Sequence, residues 1–189
     1  MDKHDRSYLN KISLANPWHL IAVGFGSGLL PKAPGTFGSL AAVPFCIGLM
    51  YMDWYYAVIV AVITFFIGWY ASTVTEKAMG MHDNSSIVID EFDGMFISVL
   101  FFPSQWYLAF LAFILFRIFD VLKPWPISFF DKYVGGGLGI MLDDVIAGIF
   151  ALGVGHFFIY YVLKDISLRK VPIPLCHDLL TADTDLCWV

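Results

Sequence analysis

The apolar stretch at residues 54–74 restricts the fold more than any other feature, because it is nearly free of charge and aromatic at both ends. Such a run is long enough to cross a bilayer as one helix, and aromatic residues favour the membrane interfaces. Strand-like alternation is not sustained anywhere in the sequence. We therefore predict an all-α fold, a compact multi-helix membrane-embedded bundle with about four to five apolar helices and one short amphipathic helix. The segments concerned are residues 18–30, 40–52, 54–74, 87–102, 105–119, 127–133 and 138–163.

The composition supports a membrane location. Hydrophobic residues make up 59% of the 189 residues and charged residues 14%, with a mean hydropathy of +0.73. A domain of this size cannot bury so much apolar surface in its own core, although a soluble helical protein with a fully buried central helix is the alternative. We predict one domain at residues 1–164 and a polar C-terminal tail at residues 165–189. The net charge of −5 gives no general attraction for nucleic acid.

Five acids adjoin or interrupt the apolar segments, and they are Asp90, Glu91, Asp120, Asp143 and Asp144. A charge at the middle of a spanning helix costs roughly 2.5–3.5 kcal/mol, and grouped carboxylates also repel one another. A divalent cation would neutralise such a group, and Mg²⁺ prefers oxygen ligands, so we predict that these acids bind Mg²⁺. The alternative is a set of salt bridges with Arg117 and Lys123, but two cations cannot neutralise five acids.

Basic residues and a glycine-rich segment are positioned in the sequence to bind a phosphate near these acids. Arg117 and Asp120 are three residues apart and share a helix face, and Lys123 follows at the next interval. The prolines and glycines of residues 34–39 predict a loop, with a helix that begins near Ser39 and directs its positive end at the anion. The donors expected from this loop are Gly35, Thr36 and Ser39.

The other glycine-rich and acidic positions have structural interpretations. The glycines of residues 24–28 do not form a dinucleotide-binding motif and are expected to allow close packing of helices. Residues 135–137 are expected to form a loop. Asp93 lies three residues after Asp90, and we expect its side chain to face solvent.

Seven motifs follow one another along the chain, at residues 16–20, 24–28, 34–39, 87–92, 116–120, 123–126 and 136–144. Their combination resembles the bacterial phosphatidylglycerophosphatase A family, and the likeness covers most of residues 16–155. The resemblance implies an all-helical fold and the Mg²⁺-dependent conversion of phosphatidylglycerophosphate to phosphatidylglycerol at the inner membrane. The five acids, Lys123 and residues 34–39 fall on motifs of that family.

The expected reaction is metal-assisted hydrolysis of a phosphomonoester. Asp90 or Glu91 would orient and deprotonate the attacking water, and Asp144 and Lys123 complete the expected catalytic set. Lys123, Arg117 and the donors of the glycine-rich segment would stabilise the transferring phosphoryl group. A covalent aspartyl-phosphate is the alternative mechanism. A divalent-cation transporter and a CDP-alcohol phosphotransferase are the alternative functions.

The basic residues near the N-terminus indicate an orientation in the membrane. Lys3, Arg6 and Lys11 favour a cytoplasmic N-terminus. We predict a multi-pass protein of the bacterial inner membrane with its active site facing the cytoplasm. The expected partners are the phosphatidylglycerophosphate substrate and the bilayer, and nothing in the sequence indicates an obligate protein partner.

Overall fold

The computed structural model describes residues 11–80, 84–125, 127–129 and 134–162, and within those ranges it is helical and has no strand. The helices in chain order are α1 Pro17–Ala22, a 3₁₀-helix Gly24–Leu29, α2 Pro34–Met50, α3 Trp54–Met79, α4 Ile89–Ser98, α5 Trp106–Leu122 and α6 Gly136–Val162. The all-α prediction is confirmed. The amphipathic helix predicted at residues 127–133 lies largely outside the described residues, and the tail predicted at residues 165–189 lies entirely outside them.

Two of the described helices, α3 and α6, are long and apolar enough to cross a membrane. Only 28% of the most apolar stretch of α3 is buried, whereas the core helix of a soluble protein is mostly buried. Its exposed side chains include those of Ile59, Ile63 and Phe66. The helix α2 is apolar but shorter. The described residues therefore show two helices of spanning length, and the predicted bundle of four to five apolar membrane-embedded helices is not shown.

The helix α2 begins at Pro34, so the prediction that residues 34–39 form a loop is wrong. Pro34 occupies the first helical turn, where proline is favoured because the N–H that it lacks would have no intrahelical partner. Ala33 precedes it in the left-handed conformation, at φ 47°. The helix α6 likewise begins at Gly136, inside the segment predicted to be a loop. Both glycine-rich segments therefore form helix starts.

The helix α4 lies at the centre of the bundle and contacts α2, α3, α5 and α6. Its crossing with α6 depends on glycine, because a side chain at Gly148 would lie 2.5 Å from the carbonyl oxygen of Gly94. A side chain at Gly68 of α3 would lie 2.8 Å from Met141 and 3.3 Å from Ile89. These close approaches enclose α4 and remove most of its side chains from solvent.

The glycines of residues 24–28 have two different roles. A side chain at Gly28 would overlap a backbone carbonyl of the segment before α4, and one at Gly24 would lie 2.7 Å from Val88. The predicted close packing is confirmed at these two positions. Gly26 has nothing within 4 Å of its Cβ position, and its φ is +103°. Phe25, which lies between Gly24 and Gly26, also has a positive φ, at 56°.

Two glycines of α6 provide a test of this packing. We expect Gly148→Ala to lower the free energy of unfolding by about 1–3 kcal/mol, because the added methyl group meets backbone atoms of α4 that cannot rotate away. Gly153→Ala is the matched control, since nothing lies within 4 Å of its Cβ position. That change should raise stability by up to about 1 kcal/mol through helix propensity. The free energies of unfolding of both variants are measured in detergent. Equal values for the two variants would contradict the close crossing of α4 and α6.

Candidate active site

The first turn of α4 and the first half of α6 bring three carboxylates together. Asp90, Glu91 and Asp144 each offer one oxygen, and these three oxygens all lie within 4.8 Å of one another. The close approach of the two helices accounts for this grouping, because a side chain at Gly94 would lie 2.8 Å from the carbonyl oxygen of Asp144. We call Asp90, Glu91 and Asp144 the acid cluster.

The acid cluster carries buried oxygens that no hydrogen bond satisfies. Asp90 Oδ1, Glu91 Oε2 and Asp144 Oδ2 have no partner among the described residues. Burial raises the pKa of Asp90 well above its usual value, and the carboxylates of Glu91 and Asp143 raise it further. Burial also raises the pKa of Glu91, an effect that Arg117 opposes. Charges of one sign are therefore held close together out of water, which is unfavourable unless a cation lies among them.

The donor set fits a hard divalent cation. The cluster offers carboxylate oxygens only, which are the ligands preferred by Mg²⁺ and other hard cations. No histidine or cysteine belongs to the groups of possible metal ligands found among the described residues. The unsatisfied oxygens and their separation are those expected of side chains that share one ion.

Arg117 of α5 forms ion pairs beside the acid cluster. Its Nη1 atom lies 2.5 Å from Asp120 Oδ2 and 4.0 Å from Glu91 Oε1. The same nitrogen donates to Ser39 Oγ at 3.4 Å. Asp120, which the sequence predicts as a metal ligand, lies in this ion pair at the edge of the cluster, and its role as a ligand stays a prediction. Arg117 thus connects α5, α4 and α2.

Lys123 and Asp143 form a second ion pair. Lys123 Nζ donates to Asp143 Oδ2 at 2.7 Å. Lys123 ends α5 in the left-handed conformation, at φ 41°. The predicted alternative of salt bridges with Arg117 and Lys123 thus applies to Asp120 and Asp143. Among the basic residues that the structure describes, only Arg117 forms an ion pair with the acid cluster, through its 4.0 Å contact with Glu91.

The first turns of α2 pack directly against Glu91. A side chain at Gly35 would overlap Glu91 Oε1, and one at Gly38 would lie 3.1 Å from Glu91 Oε2. Ser39 donates its hydroxyl hydrogen to the carbonyl oxygen of Gly35 at 2.9 Å. Thr36 lies half-buried in the same turn. No side chain caps this helix start, so its first N–H groups and the positive end of its dipole are available to an anion.

The residues of the site lie at one end of the bundle. They come from the starts of α2 and α4, the end of α5 and the first half of α6. The last turns of α3 lie at the same end, because a side chain at Gly137 would lie 2.7 Å from the backbone of Thr73. A ligand can therefore approach the acid cluster from the end of the helices.

Asp93 is fully buried, so the expectation that it faces solvent is wrong. Both of its oxygens lack a hydrogen-bond partner among the described residues, and burial raises its pKa to about 7. It lies four residues after Ile89, which packs against Gly68 of α3, so the two share the buried face of α4. The apolar residues at this spacing were the sequence signal for its burial.

The sequence of this chain is similar to that of known proteins over most of its length. The sequence model of the family described as phosphatidylglycerophosphatase A matches residues 20–159. This chain belongs to the phosphatidylglycerophosphatase A family. The resemblance stated from the motifs is thereby confirmed. All members of the acid cluster, both ion pairs and the first turns of α2 lie inside the matched residues.

Two relatives named phosphatidylglycerophosphatase A share almost half of their residues with this chain. The protein from Escherichia coli K12 is 46% identical over 160 residues, which cover 83% of this chain and 92% of the relative. The protein from Haemophilus influenzae Rd is 48% identical over 161 residues, covering 82% and 96%.

A third relative carries a different name. It comes from Bacteroides thetaiotaomicron, has the provisional name phosphatidylinositol-3-phosphatase, and is 40% identical over 142 residues, covering 70% of this chain and 87% of the relative. No solved structure matches this chain.

The ion pair at Arg117 can be tested by a double-mutant cycle. In a metal-chelating buffer we expect Arg117→Met to lower the free energy of unfolding by about 1–3 kcal/mol, because it leaves the half-buried Asp120 carboxylate without its cation. Adding Asp120→Asn should restore at least about 1 kcal/mol, since the unpaired charge is removed. Lys77→Met is the control, because Lys77 is exposed in the last turn of α3. Equal stability of the single and double variants would refute the pairing.

Proposed function

We propose that this protein is a Mg²⁺-dependent phosphatidylglycerophosphatase that hydrolyses phosphatidylglycerophosphate to phosphatidylglycerol and phosphate in phospholipid biosynthesis. Family membership supports the substrate, since two relatives of nearly half identity carry that name. The observation that carries the metal dependence is the acid cluster, whose oxygens lie within 4.8 Å and lack hydrogen-bond partners. Asp90, Glu91 and Asp144 would hold the ion, which when bound supplies positive charge to the phosphoryl oxygens.

The chain's own groups account for the proton transfers. A water oxygen attacks phosphorus, the bond from phosphorus to the glycerol oxygen breaks, and inorganic phosphate and a glycerol hydroxyl result. Asp90 or Glu91 would accept the proton of the attacking water, because both carboxylates lie in the acid cluster where the ion and the phosphate would meet. Lys123 is the basic group at the rim that would stabilise or protonate the leaving oxygen.

Arg117 and α2 supply the remaining phosphate contacts. The contacts of Arg117 with Glu91, Asp120 and Ser39 all involve Nη1. The other N–H groups of the guanidinium can donate to phosphate while the ion pair with Asp120 holds the side chain in place. Gly35, Thr36 and Ser39 present the positive start of α2 to the same anion. Asp120 and Asp143 act in this proposal by orienting Arg117 and Lys123, and as further ligands if the ion pairs open.

The distribution of charge supports a location in the bacterial inner membrane with the site facing the cytoplasm. The Lys and Arg residues that the structure describes all belong to the end of the bundle that holds the acid cluster, and they are Lys11, Lys32, Lys77, Arg117 and Lys123. Positive residues favour the cytoplasmic side. Since α3 and α6 are long enough to span, the protein would be multi-pass, and the lipid head group would meet the acid cluster near the interface.

The alternative functions find less support in this arrangement. An ion path through the membrane needs acids spaced along the bundle, whereas the acid cluster gathers at one end. A transporter also gives no functional role to the segment at the start of α2 that contacts Glu91. Family membership argues equally against a CDP-alcohol phosphotransferase.

The proposed function is tested by phosphate release from phosphatidylglycerophosphate in detergent micelles. We expect release by the wild-type protein with Mg²⁺ and none with a chelator. Asp90→Asn and Asp144→Asn should each reduce release at least about 100-fold, since several kcal/mol of transition-state stabilisation depend on the ion. Both variants should remain folded, because removing a charge from the cluster relieves repulsion.

Asp53→Asn is the matched control for these substitutions. Asp53 is exposed at the start of α3 and accepts a hydrogen bond from Tyr55, so the same chemical change there should leave the rate unchanged. Phosphatidylinositol 3-phosphate serves as a second substrate and tests the head group. Metal-independent release, or full activity of either cluster variant, would show that the proposal is wrong.

The contact between α2 and Glu91 gives an independent prediction. Gly35→Ala should lower the rate at saturating Mg²⁺ and weaken Mg²⁺ binding by at least about tenfold, because the methyl group would displace the Glu91 carboxylate. Gly48→Ala in the same helix is the control, since nothing lies within 4 Å of its Cβ position. Mg²⁺ titrations of the rate measure both effects. Identical titrations for the two variants would rule out a role for this contact.

A further inference from the structure

Phe25 has an unusual backbone conformation and an exposed side chain. Gly24, Phe25 and Gly26 have positive φ angles of 54°, 56° and 103°. Glycine adopts such angles readily, but a bulky aromatic residue does so rarely, because its Cβ atom crowds the backbone. The side chain of Phe25 is nevertheless 63% exposed. Packing in the core therefore does not account for this conformation.

The exposed ring of Phe25 contacts the helix that carries Asp90 and Glu91. Its centroid is 6.5 Å from that of Phe92, the residue that follows Glu91 in α4. The ring of Phe45 in α2 also contacts Phe92, with centroids 6.0 Å apart, and its side chain is 54% exposed. Phe45 follows Gly38, which contacts Glu91, by two helical turns. Phe25 and Phe45 are thus two exposed aromatic rings that share a buried neighbour, and that neighbour is adjacent in sequence to a member of the acid cluster.

We propose that Phe25 is a specificity-determining residue that contacts the glycerol backbone and the first acyl carbons of the lipid substrate, with Phe45 as its neighbour. This inference rests on the proposed function. A lipid whose phosphate lies at the acid cluster must place its glycerol and acyl carbons within a short covalent distance of that cluster. Phe25 and Phe45 are apolar and exposed. Phe25 lies against α4, which carries Asp90 and Glu91, and Phe45 belongs to α2, whose first turns contact Glu91.

The strained segment explains why the ring is directed outward. Gly26 leaves open space around its Cβ position, while Gly24 packs closely against Val88 and Phe92. The segment is therefore fixed to α4 on one side and open on the other, and Phe25 occupies the open side. Residues held in sparsely populated backbone conformations concentrate at ligand-binding sites, where the rest of the fold maintains them.

The test compares Phe25→Gly with Phe157→Ala. Glycine accepts the positive φ, so Phe25→Gly removes the ring and keeps the backbone. Phe157 is also 63% exposed, but it lies 13 residues after Asp144 in α6, roughly 20 Å along the helix. Phe157→Ala therefore controls for a general effect of removing an exposed aromatic ring. The substrate is diacyl phosphatidylglycerophosphate at varied mole fraction in detergent micelles, and inorganic phosphate is the second probe, as an inhibitor.

We expect Phe25→Gly to raise the KM for the diacyl substrate about tenfold, the effect of losing one large apolar contact. Its kcat and its inhibition constant for inorganic phosphate should equal those of the wild type, because the phosphate site is untouched. Phe157→Ala should change none of these values. We also expect the melting temperature of Phe25→Gly to equal or exceed that of the wild type, because the substitution removes backbone strain.

Three results would overturn the inference. An unchanged KM would show that the ring makes no contact with substrate, and an equal rise for Phe157→Ala would show a general effect of lipid. A parallel loss of phosphate inhibition would show that Phe25 only maintains the acid cluster. A wild-type protein that releases no phosphate would contradict the proposed function itself, and this result is distinct from the other three.

Discussion

The helices α4 and α6 cross at two glycines, and this crossing determines where the carboxylates of this protein meet. Because Gly94 and Gly148 have no side chains, the two helices approach to backbone contact, and the first turn of α4 then lies beside the first half of α6. Asp90, Glu91 and Asp144 could not share a small volume if these helices were separated by ordinary side chains. The same crossing buries α4, so one packing interaction both groups the acids and removes them from water.

The resulting electrostatic problem is only partly solved by the chain itself. Arg117 and Lys123 pair with Asp120 and Asp143 at 2.5 Å and 2.7 Å, which gives each outer acid a cationic partner and fixes the end of α5. The acid cluster within keeps unsatisfied oxygens. Among the described residues, the basic side chains near the site pair mainly with the outer acids, an arrangement suited to an ion that binds among the inner carboxylates from solution.

The sequence predicted which acids could come together better than it predicted their geometry. The presence of Asp90, Glu91 and Asp144 in apolar segments was enough to select them as candidate ligands, and the structure places their oxygens within 4.8 Å of one another. The division of five acids into an inner cluster and two ion pairs depends on interhelical distances that no local pattern encodes. The start of α2 at Pro34 was missed because proline was treated as a helix breaker, whereas at the first position it favours a helix. The start of α2, rather than a loop, is what contacts Glu91.

The two ends of the bundle differ in a way that suits a lipid substrate. At the end opposite the acid cluster, aromatic residues begin α3 and α5 and end α6, among them Trp54, Trp106 and Tyr161. Such residues favour a membrane interface without attracting charge. The acid cluster, with its basic rim, lies at the other end, where a charged head group can reach it. Under the proposed function, a phospholipid that enters from the bilayer would keep its acyl chains beside apolar helix faces while its phosphate meets the carboxylates, so that neither part has to leave the environment that it prefers.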